Sequence, residues 1–225
     1  DRARMYKWLH RIWYEGGSLY WALLPLSGIY WSLISLRRLF YRVGLLKRHR
    51  ARVPVIVVGN ITAGGTGKTP VTIWLARELR ERGFVPGIVS RGYGGSRSGT
   101  SMRVDGASDP LEVGDEPVLI ARRTDCPVVV DANRARAAQM LVAEGVNVII
   151  ADDGLQHYGL DRTYEICVID GARGLGNRQL LPAGPLRETI DRLCEVDQVV
   201  INGRLDGDAS DLTAVEHAPI GSAAV

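Results

Sequence analysis

Cysteine is scarce in this chain: three among 225 residues, Cys126, Cys167 and Cys194, with no C-x-x-C pair and no histidine in ligand spacing. That excludes a disulfide scaffold and a zinc framework. Each cysteine lies in or beside an apolar segment, so reduced core thiols of a cytosolic domain are expected. Internal repeats and low-complexity tracts are also missing, which excludes solenoids and disordered arrays. With 46% apolar and only 24% charged residues, the chain can bury one substantial core, enough for one catalytic domain plus an appendage.

Acidic residues are nearly missing from the first 52 positions. Asp1 and Glu15 stand there against eleven Lys and Arg, a local charge of +9, so the other 173 residues carry −6 of the net +3. Between Glu15 and Arg37 charge is missing altogether: GGSLYWALLPLSGIYWSLISL would be about 32 Å long as a helix, close to a bilayer's hydrocarbon thickness. Trp8, Trp13, Trp21 and Trp31, with Tyr6, Tyr14, Tyr20, Tyr30 and Tyr41, fall in the same region and suit the headgroup level. The positive charge therefore points to anionic lipid, not nucleic acid. Pro25, Gly28 and the serines argue against a straight span, which favours an interfacial or re-entrant anchor over a true span or a helix buried against the domain. No A-x-A-like site follows, so a retained segment is expected, not a cleaved leader.

From Val53 the pattern becomes α/β. Short β-branched runs predict strands at 53–58, 85–90, 127–130, 146–151, 166–170 and 198–202, and helical periodicity predicts helices near 71–82, 116–123, 134–144 and 188–195. Such alternation implies a parallel sheet covered by helices on both faces, with ligands beyond the carboxyl ends of the strands. The first strand runs into TAGGTGKTP, Thr62 to Pro70. A glycine-rich turn with Lys68 and Thr69 at the mouth of a helix is a phosphate loop: backbone N–H groups cradle phosphates, Lys68 reaches them, and the Thr69 hydroxyl meets Mg²⁺. The usual spacing wants glycine at 62, where this chain has Thr62, so the loop is nearer the x-G-G-x-G-K-T variants.

Other strand ends are equally loaded. Asp152 and Asp153 follow the fourth predicted strand, where a carboxylate downstream of a phosphate loop holds Mg²⁺ directly or through water; a turn-capping role is the alternative. His157 is either a structural hydrogen-bonding residue or a substrate contact. Ser90, Arg91 and Tyr93 open a glycine-rich loop suited to closing over an anionic group, with Arg91 stabilising charge and Tyr93 stacking or hydrogen bonding. Asp115 and Glu116 stand at the mouth of a helix, where they either complement its dipole or supply carboxylates to an acceptor hydroxyl and a metal.

Taken in order, VPVIVVGNITAGGTGKTP, VSRGYGG, VGDEP, VIIADDGLQH and LLPAGPLRE resemble the tetraacyldisaccharide 4'-kinase (lipid A kinase) family over nearly the whole chain to Gly203. The resemblance implies a P-loop NTPase-like fold of three parts: a membrane anchor over 1–52, a kinase domain over 53–203, and a tail over 204–225. It implies transfer of the γ-phosphate of ATP to the 4'-hydroxyl of an acylated disaccharide 1-phosphate, with Mg²⁺, on the cytoplasmic face of the bacterial inner membrane. Thr62, Ala63, Gly64, Gly65, Thr66, Gly67, Lys68 and Thr69 would bind ATP. Thr69, Glu116, Asp152 and Asp153 would surround the metal, and Asp115 would be the catalytic carboxylate beside Lys68 and Arg91. Ser90, Tyr93 and His157 would belong to the active-site loop and substrate contacts. The lipid substrate and membrane lipid are the expected partners; no protein partner is expected.

Family members continue into a smaller second domain whose histidine pairs with the catalytic aspartate. The sequence after Asn202 does not resemble it, and His217 is not assigned that role, so a fragment or a diverged tail is expected. Two rivals remain. A membrane-associated nucleotide switch would, by resemblance, carry lysine where Ala63 stands, and a kinase for a soluble metabolite leaves the aromatic N-terminal segment unexplained.

Overall fold

The computed structural model describes residues 8–15, 20–92, 100–204 and, for the backbone alone, 220–223. The chain divides into two compact units. One comprises 1–45, 60–66 and 167–224; the other comprises 46–59 and 67–166.

In the second unit, strands β1 (Val55–Gly59), β2 (Pro86–Ser90), β4 (Val128–Val130) and β5 (Val148–Asp152) are parallel, with β5 between β1 and β2 and β4 beyond β2. Every residue of β2, β4 and β5 is buried, the signature of strands covered on both faces. Helix α2 (Lys68–Glu81) follows β1, and α4 (Asp115–Thr124) and α5 (Arg134–Ala143) flank β4 in sequence. On α2 the buried positions are Lys68, Val71, Thr72 and Ala76, one helical stripe that carries two polar groups inward among apolar ones. Val55 pairs with Ile149 and Val58 with Asp152, so the register leaves Asp152 at the carboxyl end of the sheet.

The expected parallel sheet needs one correction. Strand β3 (Met102–Val104) pairs antiparallel with β4, making the sheet mixed. With three residues and only Val104 buried, β3 carries too little pattern to be read from sequence. A four-residue helix, α3 (Pro110–Val113), capped by the Asp109 carboxylate on the Leu111 N–H, was likewise not expected.

In the first unit, α1 (Tyr20–Arg42) is continuous through Pro25. Its only buried residue is Ser27, whose hydroxyl donates to the Leu180 carbonyl at 2.8 Å and accepts from the Ala183 N–H at 3.1 Å. Tyr30 donates to the Arg187 carbonyl at 2.9 Å, and Arg38 pairs with Glu195. The outer face is apolar and exposed: Trp21, Leu26, Ile29, Leu33, Leu36, Leu39 and Phe40. No single helix among the described residues is long and apolar enough to cross a membrane. Strand β6 (Tyr164–Asp170) enters this unit at Cys167, with β7 (Gln198–Asn202) beside it and β8 (Ile220–Ala223) parallel to β7, a strand the tail's composition did not suggest.

Between β6 and β7 the expected helix at 188–195 is only a 3₁₀ turn, Ile190–Cys194. Thr189 is extended, so helical backbone begins only at Ile190, too late to propagate, even though Glu188 and Arg192 form a buried ion pair at 3.1 Å. Cys126 and Cys167 are buried and in no disulfide, as expected, but Cys194, at the end of this turn, is exposed.

Gly59 closes β1 where a Cβ would meet Leu155 Cγ at 2.7 Å and the Leu155 backbone nitrogen at 2.9 Å. Because backbone cannot swing aside, Gly59→Ala should lower stability by about 1–3 kcal/mol, read as a reduced urea midpoint; an unchanged midpoint would show that this close approach tolerates a methyl group.

Candidate active site

The phosphate-loop sequence begins in the first unit, where 60–66 is held by backbone bonds to the LLPAGPLRE segment. The Ala63 N–H donates to the Pro185 carbonyl at 2.7 Å, the Arg187 N–H to the Ile61 carbonyl at 2.7 Å, and Thr62 bridges Leu186. Asn60 Nδ2 reaches the Gly64 carbonyl at 3.2 Å, Asn202 Nδ2 reaches the Thr66 carbonyl at 3.2 Å, and Arg173 donates to the Gly65 carbonyl. Thr66 Oγ1 is buried with no hydrogen-bond partner among the described residues. An orphaned hydroxyl in such a loop is a donor waiting for a ligand oxygen.

The second unit carries Gly67, Lys68, Thr69 and both aspartates. Gly67, at φ +84°, is the N-cap of α2 and supplies no side-chain cap, so the first N–H groups of the helix are open to an anion. Lys68, the first helical residue, is buried, with Nζ 3.6 Å from Asp153 Oδ1; Thr69 beside it is half-buried. One turn on, the Thr72 hydroxyl donates to Asp152 Oδ1 at 3.1 Å, and the Ser90 hydroxyl lies 3.5 Å from Oδ2.

The adjacent aspartates are turned apart. Asp152 ends β5 with its side chain inside the unit, whereas Asp153 adopts a left-handed conformation, φ +48°, that directs its carboxylate toward Lys68. A non-glycine residue there carries backbone strain, a common mark of functional sites. Burial pushes the Asp152 carboxyl up to about 6; the Glu116 charge adds to the rise and the Arg134 guanidinium opposes it.

Arg134, the first residue of α5, is itself buried and donates to the Asp153 carbonyl at 2.9 Å. Desolvation lowers its pKa while Asp152 and Asp153 counter that pull. Asp115 and Glu116 are the first two residues of α4 and both are exposed, as is Arg91. His157 is fixed through its backbone, its N–H to the Gly154 carbonyl at 2.9 Å and its carbonyl accepting from Arg162 at 2.5 Å, with a half-buried ring. Tyr93 lies outside the described residues.

The family model for tetraacyldisaccharide-1-P 4'-kinase matches residues 19–223. The chain belongs to that family. A tetraacyldisaccharide 4'-kinase of Aeromonas salmonicida is 53% identical over 196 residues, covering 87% of this chain and 59% of the relative. One from Alkalilimnicola ehrlichii is 57% identical over 183 residues, covering 81% and 55%. Among solved structures, the kinase LpxK from Aquifex aeolicus in complex with ATP superposes with a TM-score of 0.73 at 34% identity, covering 81% of this chain and 58% of that one. The chain thus spans a little under 60% of the length of the relatives it matches.

Two residues at the kinase-family site escape a reading by motif. Thr72 is four residues after Lys68, hence on the same helix face, and helical spacing from Lys68 would have found it. Arg134 starts the helix after β4, so the strand-end rule that exposed Asp152 applies to it as well.

Because the folded Asp152 pKa lies above its unfolded value, stability from this group is fully present below about pH 4 and is lost as pH rises through about 6. Asp152→Asn should therefore be about 2–3 kcal/mol more stable than the parent at pH 8 and little different at pH 4. Urea midpoints at the two pH values check this, and a constant offset would show that Asp152 does not titrate in this way.

Proposed function

We propose that this chain is the nucleotide-binding part of a lipid kinase that transfers the γ-phosphate of ATP to the 4'-hydroxyl of a tetraacylated disaccharide 1-phosphate at the cytoplasmic face of the inner membrane. The observation that carries the reading is Lys68: a buried ammonium at an uncapped helix N-terminus, beside Asp153 and one turn from the Thr72–Asp152 pair. A cation and open N–H groups at one point favour phosphate.

In this reading Gly64, Gly65, Thr66 and Gly67 wrap the phosphates and Lys68 neutralises their charge. Thr69, Glu116, Asp152 and Asp153 are oxygen donors suited to Mg²⁺, which supplies charge neutralisation when bound. Among the described residues no three His, Cys, Asp or Glu side chains cluster closely enough to enclose a metal alone.

Asp115 is the catalytic carboxylate: it takes the proton of the 4'-hydroxyl as that oxygen bonds to the γ-phosphorus and the bond to ADP breaks. Arg91 offsets the charge of the transferring group, while Ser90, Tyr93 and His157 are assigned to the active-site loop and substrate contacts. The division into anchor (1–52), kinase domain (53–203) and tail (204–225) belongs to the same proposal. An acceptor with four acyl chains stays in the bilayer, and the exposed apolar face of α1 brings the enzyme to it.

Two experiments test these assignments. With labelled ATP, Mg²⁺ and the acylated disaccharide in vesicles, label should enter the lipid. Lys68→Ala should abolish this, and Asp115→Asn should retain ATP affinity but lose on the order of 10²-fold in turnover. Lipid-stimulated hydrolysis without labelled lipid would favour a nucleotide switch, and near-normal turnover of Asp115→Asn would remove it from the mechanism. Separately, Ile29→Ser, Leu33→Ser and Leu36→Ser combined should release the chain from phosphatidylcholine vesicles in a sedimentation assay; continued sedimentation would refute the role given to α1.

A further inference from the structure

Directly after α1 the chain carries Lys47, Arg48, His49, Arg50 and Arg52. This run is pinned by its backbone. The His49 N–H donates to the Gly159 carbonyl at 2.8 Å, and the Asp161 N–H returns to the His49 carbonyl at 2.8 Å. The Val55 N–H meets Thr163 Oγ1 at 3.2 Å, and the Thr163 N–H meets the Val55 carbonyl at 2.8 Å. Between the two pinned segments, 50–55 and 161–163 line an open cavity of about 650 Å³, within the range of small-ligand sites.

The cavity's charges are unevenly used. Arg162 is fully engaged: it pairs with Glu165 at 2.8 Å, donates to the Leu155, His157 and Leu160 carbonyls, and stands 5.2 Å from the Tyr158 ring. Arg50 and Arg52 make no hydrogen bond or ion pair among the described residues, although the Asp161 carboxylate lines the same space. Two free guanidiniums facing one concave volume, against one carboxylate, favour an anion. The planar fork of arginine matches the paired oxygens of a phosphate, as it does those of a carboxylate.

This volume is separate from the kinase site. It lies at the amino end of β1, whereas Asp152 lies at the carboxyl end of β5 level with Val58; three residues of strand separate the levels of Val55 and Val58, about 10 Å. We infer that the cavity between Arg50–Val55 and Asp161–Thr163 takes the phosphate of an anionic phospholipid headgroup. The lipid source, as opposed to a soluble phosphate ester, follows from the position of Arg50 and Arg52 just downstream of an exposed apolar helix. Basic residues beside a membrane-bound segment gain strength from the negative surface potential. The inference rests on the membrane role proposed for α1, and it adds a headgroup-selective contact to a non-selective apolar one.

The test uses the full chain with phosphatidylcholine vesicles, with and without phosphatidylglycerol. Arg50→Gln with Arg52→Gln should weaken binding to phosphatidylglycerol vesicles by about 10–30-fold and leave binding to pure phosphatidylcholine unchanged. Asp161→Asn should strengthen the former alone. Lys47→Gln with Arg48→Gln removes the same charge outside the cavity and should have a smaller effect. An equal effect of the two double variants would mean diffuse attraction and would overturn the site, as would no effect of Arg50→Gln with Arg52→Gln. Calorimetry with glycerol 3-phosphate separates the sources: tight binding that depends on Arg50 and Arg52, with no preference for phosphatidylglycerol vesicles, would assign the cavity to a soluble phosphate ester and overturn the lipid assignment. Failure of the parent chain to bind phosphatidylcholine would instead count against α1, leaving the phosphatidylglycerol arm as the readout of the cavity.

Discussion

The carboxyl end of β5 sets the terms for this molecule. Asp152 is carried by strand register into the interior, where an ionised carboxylate is costly. Thr72 offers it one hydrogen bond, and the buried Arg134 offers charge from across the strand ends. Each of these groups is useful mainly because the others are present. Asp153 can turn outward toward Lys68 only because Asp152 occupies the inward position, and it does so at the expense of a left-handed backbone. A tension of this kind is relieved by a cation or by a proton, so the resting site is poised to take up positive charge.

The second organising element is backbone pairing around LLPAGPLRE. In the sequence these residues were only the last of five motifs in order. In the folded chain their carbonyls and N–H groups hold Ile61, Thr62 and Ala63, the Leu180 carbonyl and Ala183 N–H hold Ser27, and the Arg187 carbonyl holds Tyr30. One irregular segment thus serves as scaffold both for the loop and for the N-terminal helix. Because the bonds are made by the main chain, the motif constrains shape more than side-chain chemistry.

Much of this was legible in sequence, and unevenly. Parallel strands announced themselves because burial on both faces demands continuous β-branched runs, as in Val148–Asp152. The phosphate loop was legible because Gly67, Lys68 and Thr69 each answer a separate geometric need. The edge strand Met102–Val104 was not, since three residues with one buried side chain leave no period to detect. Thr72 and Arg134 were missed for another reason: a threonine inside a helix and an arginine at a helix start are ordinary residues until a buried carboxylate is placed beside them. The 3₁₀ turn at Ile190–Cys194 follows from the extended backbone of Thr189, a conformation that the local helical pattern, with its Glu188–Arg192 pair at i,i+4, did not announce.

Helix α1 reverses the usual arrangement of a globular protein, burying a serine and presenting tryptophan and leucine outward. In plain water such a surface finds relief chiefly in other copies of itself. The working concentration of this chain is then governed by amphiphiles: detergent or lipid keeps molecules apart, and their removal drives self-association. Purification in aqueous buffer alone should therefore favour self-association through this face, and detergent should reverse it.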